Sequence, residues 1–259
     1  DITGENNSGY GKIIATRGNS RWQASEGPEV IYRNGYYYLF LAYGTLAVEY
    51  NTRVCRSVNI DGPYVDMDGT PAMGSGELYP ILTAPYLFNN SYGWVGISHC
   101  GIFEDGEGNW FYTSQGRFPA NVGGNEYSNA IMMGHVRSIR WDANGWPLVM
   151  PERYGAVPQV PITEEEIAGN WEHLSLTSST STQRTSETLT FDAGTHKISS
   201  GSWKDASWTF DAASQTITTS AGVVLYLQRE VDWEATPRTH TIVYAAQGNK
   251  KTYWGKKVQ

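Results

Sequence analysis

The chain has 259 residues, of which 17% are charged and 13% aromatic, and a net charge of −7. That balance excludes a disordered chain and argues against nucleic acid or an anionic membrane as partner. Its two cysteines, Cys55 and Cys100, cannot build a disulfide framework, and no apolar run approaches the roughly 18 residues of a spanning helix.

Ten Trp, 17 Tyr and 28 Gly favour a β-rich protein, because aromatic side chains suit pleated strands and glycine supplies the turns. Aromatic rings also stack on the C–H faces of sugars, although most aromatics in β proteins fill cores. The first chemical candidate is Glu26, in Trp22-Gln23-Ala24-Ser25-Glu26-Gly27-Pro28. Gly27 permits a tight turn and Pro28 interrupts a ladder, so Glu26 is expected at a strand entrance, partly buried between aromatic neighbours. Burial raises a carboxyl pKa and retains the proton that a general acid donates. The plainer reading is a surface glutamate in a turn.

Asn34-Gly35 predicts a turn before a strand over 36–42. Asp66-Met67-Asp68-Gly69 reads as a turn, since it lacks the remaining ligands of a calcium loop. His99, in Gly96-Ile97-Ser98-His99-Cys100-Gly101, reads as a core histidine or as a ligand. No second Cys or His stands at zinc spacing. The turn 106–109 predicts a strand over 110–113, followed by Arg117, which suits sugar hydroxyls, a carboxylate or a surface ion pair. The turn 142–145 predicts another strand over 146–149. Three repeats of polar turn and aromatic-led strand favour a β-propeller.

Pro151, Pro158 and Pro161 mark a boundary, giving units 1–160 and 161–259. Thr163 is the predicted N-cap of a short helix whose first turn holds Glu164, Glu165 and Glu166. Beyond it, six or more short strands separated by turns predict a small closed barrel or sandwich. Ser178 to Ser186 reads as a solvated loop or hairpin. Trp171, Trp203, Trp208, Trp233 and Trp254 read as barrel core, with polysaccharide binding as the alternative.

Several motifs keep a common order over about 130 residues. They are Glu26-Gly27-Pro28, Asn34-Gly35-Tyr36-Tyr37-Tyr38, Tyr50-Asn51-Thr52-Arg53-Val54, Asp61-Gly62-Pro63-Tyr64 and Ser98-His99-Cys100-Gly101. Val136-Arg137-Ser138-Ile139-Arg140-Trp141-Asp142, Asn144-Gly145-Trp146-Pro147 and Pro151-Glu152-Arg153-Tyr154 follow. Together they resemble glycoside hydrolase family 43, of the α-1,5-L-arabinanase type. The resemblance implies an all-β chain: part of a five-bladed β-propeller, about three blades of it, followed by a small lipocalin-like antiparallel β-barrel. It implies an inverting glycosidase acting on arabinan or arabino-oligosaccharides in an extracellular or periplasmic setting. An acid protonates the leaving oxygen while a base roughly 6.5–9.5 Å away activates water.

By position, Glu26 matches the acid, and His99 matches the histidine that holds calcium or a similar ion through waters near the axis. Asn51 and Arg117 are expected to face substrate. The family's base and a further aspartate should precede Glu26, where the only aspartate is Asp1, outside any matching motif. The missing blades are therefore expected on a complementary N-terminal polypeptide or an absent N-terminal portion. A non-catalytic carbohydrate-binding protein and an exo-acting arabinofuranosidase or xylosidase are the alternatives.

Overall fold

The computed structural model describes residues 11–17, 25–74, 76–88, 91–177 and 182–259. Asp1 and Trp22 lie outside the described residues. Two four-stranded antiparallel meanders come first. One joins β1 (Ser25–Arg33), β2 (Tyr36–Tyr43), β3 (Asn51–Ser57) and β4 (Ile81–Thr83). The other joins β5 (Val95–Glu104), β6 (Trp110–Arg117), β7 (Met133–Trp141) and β8 (Pro147–Val149). Short strands Thr16–Arg17 and Met73–Gly74 pair in parallel beside the first sheet.

The turns explain the meanders. Asn34 and Gly35 both have positive φ, 48° and 86°, the geometry of a two-residue hairpin whose twist matches its strands. Asp105 Oδ1 accepts from the backbone N–H of Glu107 and Asn109. Asp142 Oδ1 accepts in the same way from Asn144 and Trp146. One turn chemistry thus recurs within the second blade. Asp66 likewise caps a turn, accepting from the N–H of Asp68, Thr70 and Tyr79.

The blades pack face to face. Tyr38, Phe40, Val54 and Leu82 of the first meet Cys100, Ile102, Tyr112, Ile139 and Val149 of the second. Cys55 lies in a separate cluster with Leu39, Leu41 and Tyr64. Both cysteines are free and buried, and burial pushes each thiol up to about 12.

Helix α1 (Glu164–Ile167) starts with a capping box, in which Thr163 N–H donates to Glu166 Oε2 at 2.9 Å. Eight strands follow: β9 (Gly169–Leu176), β10 (Glu187–Asp192), β11 (Lys197–Ile198), β12 (Trp208–Asp211), β13 (Thr216–Thr219), β14 (Val224–Asp232), β15 (Thr239–Gly248) and β16 (Lys251–Lys257). They form one antiparallel sheet in the order β11-β10-β9-β16-β15-β14-β13-β12. A bridge between Lys197 and Ser207, with Trp208 N–H donating to His196 O, brings its two edges together. Trp171, Trp208, Phe191, Leu225 and Tyr244 fill this barrel.

The barrel is fastened to the blades by a mixed core. Ile81, Tyr86, Trp94 and Leu148 pack with Leu174, Val243 and Trp254. Trp254 Nε1–H donates to Val149 O at 2.8 Å. Arg184–Thr185 pairs in parallel with Tyr86–Leu87. That part of the stretch expected as a solvated loop is therefore a stitch between the two units, while 178–181 lie outside the described residues. Among the described residues, no helix is long and apolar enough to cross a membrane.

Candidate active site

The entrance of β1 is bulged. Glu26 pairs with Ala42 and Glu29 with Phe40, leaving Gly27 and Pro28 outside the register. Gly27 has φ 55°, and a Cβ there would lie 3.1 Å from the His99 ring. Glycine at this position thus lets the imidazole come close to the first blade.

His99 sits between two register shifts of β5, with a left-handed φ of 59°. That conformation re-aims its side chain out of the regular alternation. The side chains of Glu26 and His99 meet at Tyr50, just before β3. Tyr50 is buried, and its hydroxyl donates to Glu26 Oε1 at 2.5 Å. The same oxygen lies 3.1 Å from His99 Nδ1. A phenol has one proton. With that proton directed at Glu26 Oε1, His99 donates through Nδ1, and in the neutral ring the lone pair then lies on Nε2. Burial, and then the bond to Glu26, push the Tyr50 pKa up, so it remains a neutral hydrogen-bond donor.

Beneath this trio a polar network locks the blades together. Thr52 Oγ1 lies 2.8 Å from Ser98 Oγ and 2.7 Å from Tyr112 Oη, all buried. Thr83 Oγ1 donates to Ile97 O at 2.8 Å. Ser98 adjoins His99, so the histidine's strand is held through its neighbour.

The four residues singled out in the sequence fare differently. Glu26 and His99 are brought together. Glu26 is exposed, where partial burial was expected: it pairs with Ala42 at the edge of the bulge, at the open start of β1. Arg117 lies at the end of β6, partly buried, with its Cδ 3.3 Å from where a Gly96 Cβ would be. It donates to Asn129 O at 3.0 Å, and no described hydrogen bond joins it to the trio. Asn51 is buried and turned into its own blade. Its Nδ2 donates to Tyr43 O and Glu49 O, and its Oδ1 accepts from Arg53 Nε at 2.6 Å. Every polar group of the Asn51 side chain is thereby engaged by the first sheet and the turn that leads into β3.

Tyr50 is the residue that sequence reasoning missed. It stood in the same motif as Asn51, but its role depends on partners from two different blades. As for a metal, His99 offers one nitrogen. Among the described residues, the one convergence of three ligating side chains is Glu152, Asp232 and Glu234, away from His99. Calcium prefers six to eight oxygens, so an ion at His99 would take most of its shell from water.

Residues 3–147 match the family described as glycosyl hydrolases family 43, and residues 151–255 match its C-terminal lipocalin-like domain. The extracellular endo-α-(1→5)-L-arabinanase 2 of Bacillus subtilis is 31% identical over 185 residues, covering 63% of this chain and 37% of that protein. The extracellular endo-α-(1→5)-L-arabinanase of Thermotoga petrophila is 30% identical over 185 residues, covering 64% of this chain and 37% of that protein. A crystal structure of endo-1,5-α-L-arabinanase from T. petrophila superposes with a TM-score of 0.81 at 25% identity, over 97% of this chain and 58% of that one. The chain thus spans little more than a third of these curated relatives and somewhat over half of the solved structure. Two meanders packed as propeller blades and a closed barrel behind them agree with these matches: the chain belongs to glycosyl hydrolase family 43.

Proposed function

We propose that this chain carries the acid half of an inverting glycosidase that cleaves α-1,5-linked L-arabinan. The observation that carries the reading is the Glu26–Tyr50–His99 trio, built across two blades of a family 43 fold. Glu26 protonates the leaving glycosidic oxygen. Tyr50 fixes one carboxylate oxygen, which leaves the other to face the sugar. Arg117, at the same end of the second blade, contacts substrate.

Inversion needs a second carboxylate to take a proton from water on the opposite sugar face. Among the described residues, Glu26 is the one carboxylate hydrogen-bonded into the trio. The proposed source of the base is polypeptide outside these 259 residues, a reading supported by the chain's spanning only 37% of the arabinanase relatives. A calcium or similar ion held by His99 and water would supply positive charge beside the acid and fix the imidazole. The relatives' extracellular naming and the polymeric substrate support a location outside the cell.

The test is hydrolysis of linear arabinan. Complemented with its missing blades, the protein releases arabino-oligosaccharides, and Glu26→Gln lowers that rate at least about a hundredfold, within the usual range for losing acid catalysis. The 259 residues alone release none. Near-normal turnover by the variant removes Glu26 from its role, and sugar release by the chain alone removes the external base.

A further inference from the structure

We infer that the junction between the second blade and the barrel is a separate glycan-binding cleft, which takes units of the arabinan chain remote from the scissile bond. This rests on the proposed substrate. The cleft has a volume of about 570 Å³ and opens between Tyr92, Trp94, Phe118 and Arg153 on one side and Trp233 and Arg238 on the other. Small-molecule sites favour domain interfaces, this size range, aromatic linings and a few directed polar groups.

The lining has the chemistry of a sugar site. Trp94 and Phe118 stack with centroids 4.7 Å apart and form an apolar floor. Tyr92 is 60% exposed at the rim. Arg153 lies over both Trp94 and Trp233, at 4.9 and 5.1 Å, and Arg238 lies 4.9 Å over Trp233. Stacking of this kind holds a guanidinium flat while its N–H groups stay available to hydroxyl oxygens. Arg153 Nε is buried with no hydrogen-bond partner among the described residues. The nearby Glu234 carboxylate is already engaged by Lys256 at 2.9 Å. Of the five barrel tryptophans considered from sequence, Trp171, Trp203, Trp208 and Trp254 are buried and Trp233 is not. Trp233 is fixed instead by its indole N–H, which donates to Arg153 O at 2.7 Å.

Position identifies the occupant. Phe118 follows Arg117, and Trp94 immediately precedes β5, five residues before His99. Five strand residues span at most roughly 17 Å. The cleft therefore lies within about 17 Å of His99 along the strand, a distance that successive units of one polymer chain can bridge. A neutral chain of furanose units, with apolar C–H faces and many hydroxyls, complements rings and guanidiniums with no charge to neutralise.

Calorimetric titration of the 259-residue chain with a linear arabino-octasaccharide tests this directly. The unaltered chain binds saturably, and the double variant Tyr92→Ala, Arg238→Ala binds about tenfold more weakly. Both side chains are exposed at the rim, so the fold tolerates their loss, and an unchanged melting temperature checks it. Thr236→Trp, which fills the cleft from its exposed edge, weakens binding to a similar extent. Absence of saturable binding by the unaltered chain overturns the cleft, as does undiminished affinity in both variants. The hydrolysis test with Glu26→Gln stands apart from this one. Arabinan cleavage with unaltered binding by the cleft variants removes the cleft alone, whereas cleft-dependent binding without cleavage removes the catalytic reading alone.

Discussion

A histidine with φ of 59° in the middle of a strand carries a backbone cost on the order of 1–3 kcal/mol. What it gains is direction. His99 leaves the strand's alternation, meets Tyr50, and sits against a glycine that offers no Cβ to obstruct it. The hydrogen-bond chain then selects the tautomer with its free lone pair on Nε2. From this follows the expected behaviour toward metal. In the complemented enzyme, a chelator lowers arabinan hydrolysis and added calcium restores it, whereas His99→Ala is insensitive to both. Full activity of the unaltered enzyme in chelator removes the ion. At this scale the sequence was readable where a motif was local. Gly27-Pro28 signalled the interruption of the ladder beside Glu26, where the structure has its bulge. Tyr50 was not readable, because nothing in its own segment shows that a carboxylate from β1 and an imidazole from β5 converge on one hydroxyl. The Asn51 amide is engaged by Arg53, a carbonyl of β2 and the Glu49 carbonyl of the turn before β3, partners that its motif does not disclose.

Strand β14 illustrates a conflict within one element. Glu230 is buried, accepting from Gly155 N–H at 3.0 Å, Gln228 Nε2 at 3.0 Å and Ser138 Oγ at 3.3 Å. Burial outweighs these bonds and raises its pKa to about 7 from an ordinary 4.5. The stabilisation of its protonated form is full below about 4.5 and is lost as pH rises through 7. His135 and His173 act in the opposite sense. Burial depresses them to about 2 and about 3, so the stability they contribute as neutral rings is present above 6.5 and declines as pH falls. Glu230→Gln should therefore raise stability at pH 8, on the order of 1–3 kcal/mol, and much less at pH 5. Thermal melts at the two pH values check this, and an equal shift at both removes the titration argument. The strands themselves were largely legible. Aromatic-led runs after Asn34-Gly35 and the turn at 106–109 fall within β2 and β6, and Thr163 caps α1 as its residues predict. Strands β3, β5 and β7 were less visible, because polar residues such as Thr52, Ser98 and Arg137 break their apolar pattern. Those residues are buried in cross-blade networks that no periodicity within one strand reveals.

For the whole molecule, the junction between blades and barrel is organised around one buried ammonium. Lys256 Nζ lies 3.1 Å from Glu152, 2.9 Å from Asp232 and 2.9 Å from Glu234. The three carboxylates converge as they would on a metal ion, and the lysine of β16 takes that place. Glu152 comes from the segment after the last blade strand, and burial pushes its carboxyl up strongly. Lys256→Met leaves these acids facing one another without a cation, a loss of about 3–5 kcal/mol by analogy with broken buried pairs. Denaturant titration should register it as a lower midpoint, and an unchanged midpoint would show that the ammonium contributes nothing. The prolines and the change of texture read from the sequence precede α1 and the barrel strands. A closed barrel was among the expectations from its short strands, but which strands would close it was not legible: the two edges, β11 and β12, are consecutive in the chain yet lie at opposite ends of the sheet order and meet through Lys197 and Ser207. The sulfur atoms add a last consequence. Cys55 and Cys100 rest under separate apolar clusters as undissociated thiols, so neither supplies the thiolate that disulfide exchange requires. In oxidising surroundings the blades would acquire no covalent staple from within, and their cohesion would depend wholly on side-chain fit and on the hydroxyl ladder of Thr52, Ser98 and Tyr112.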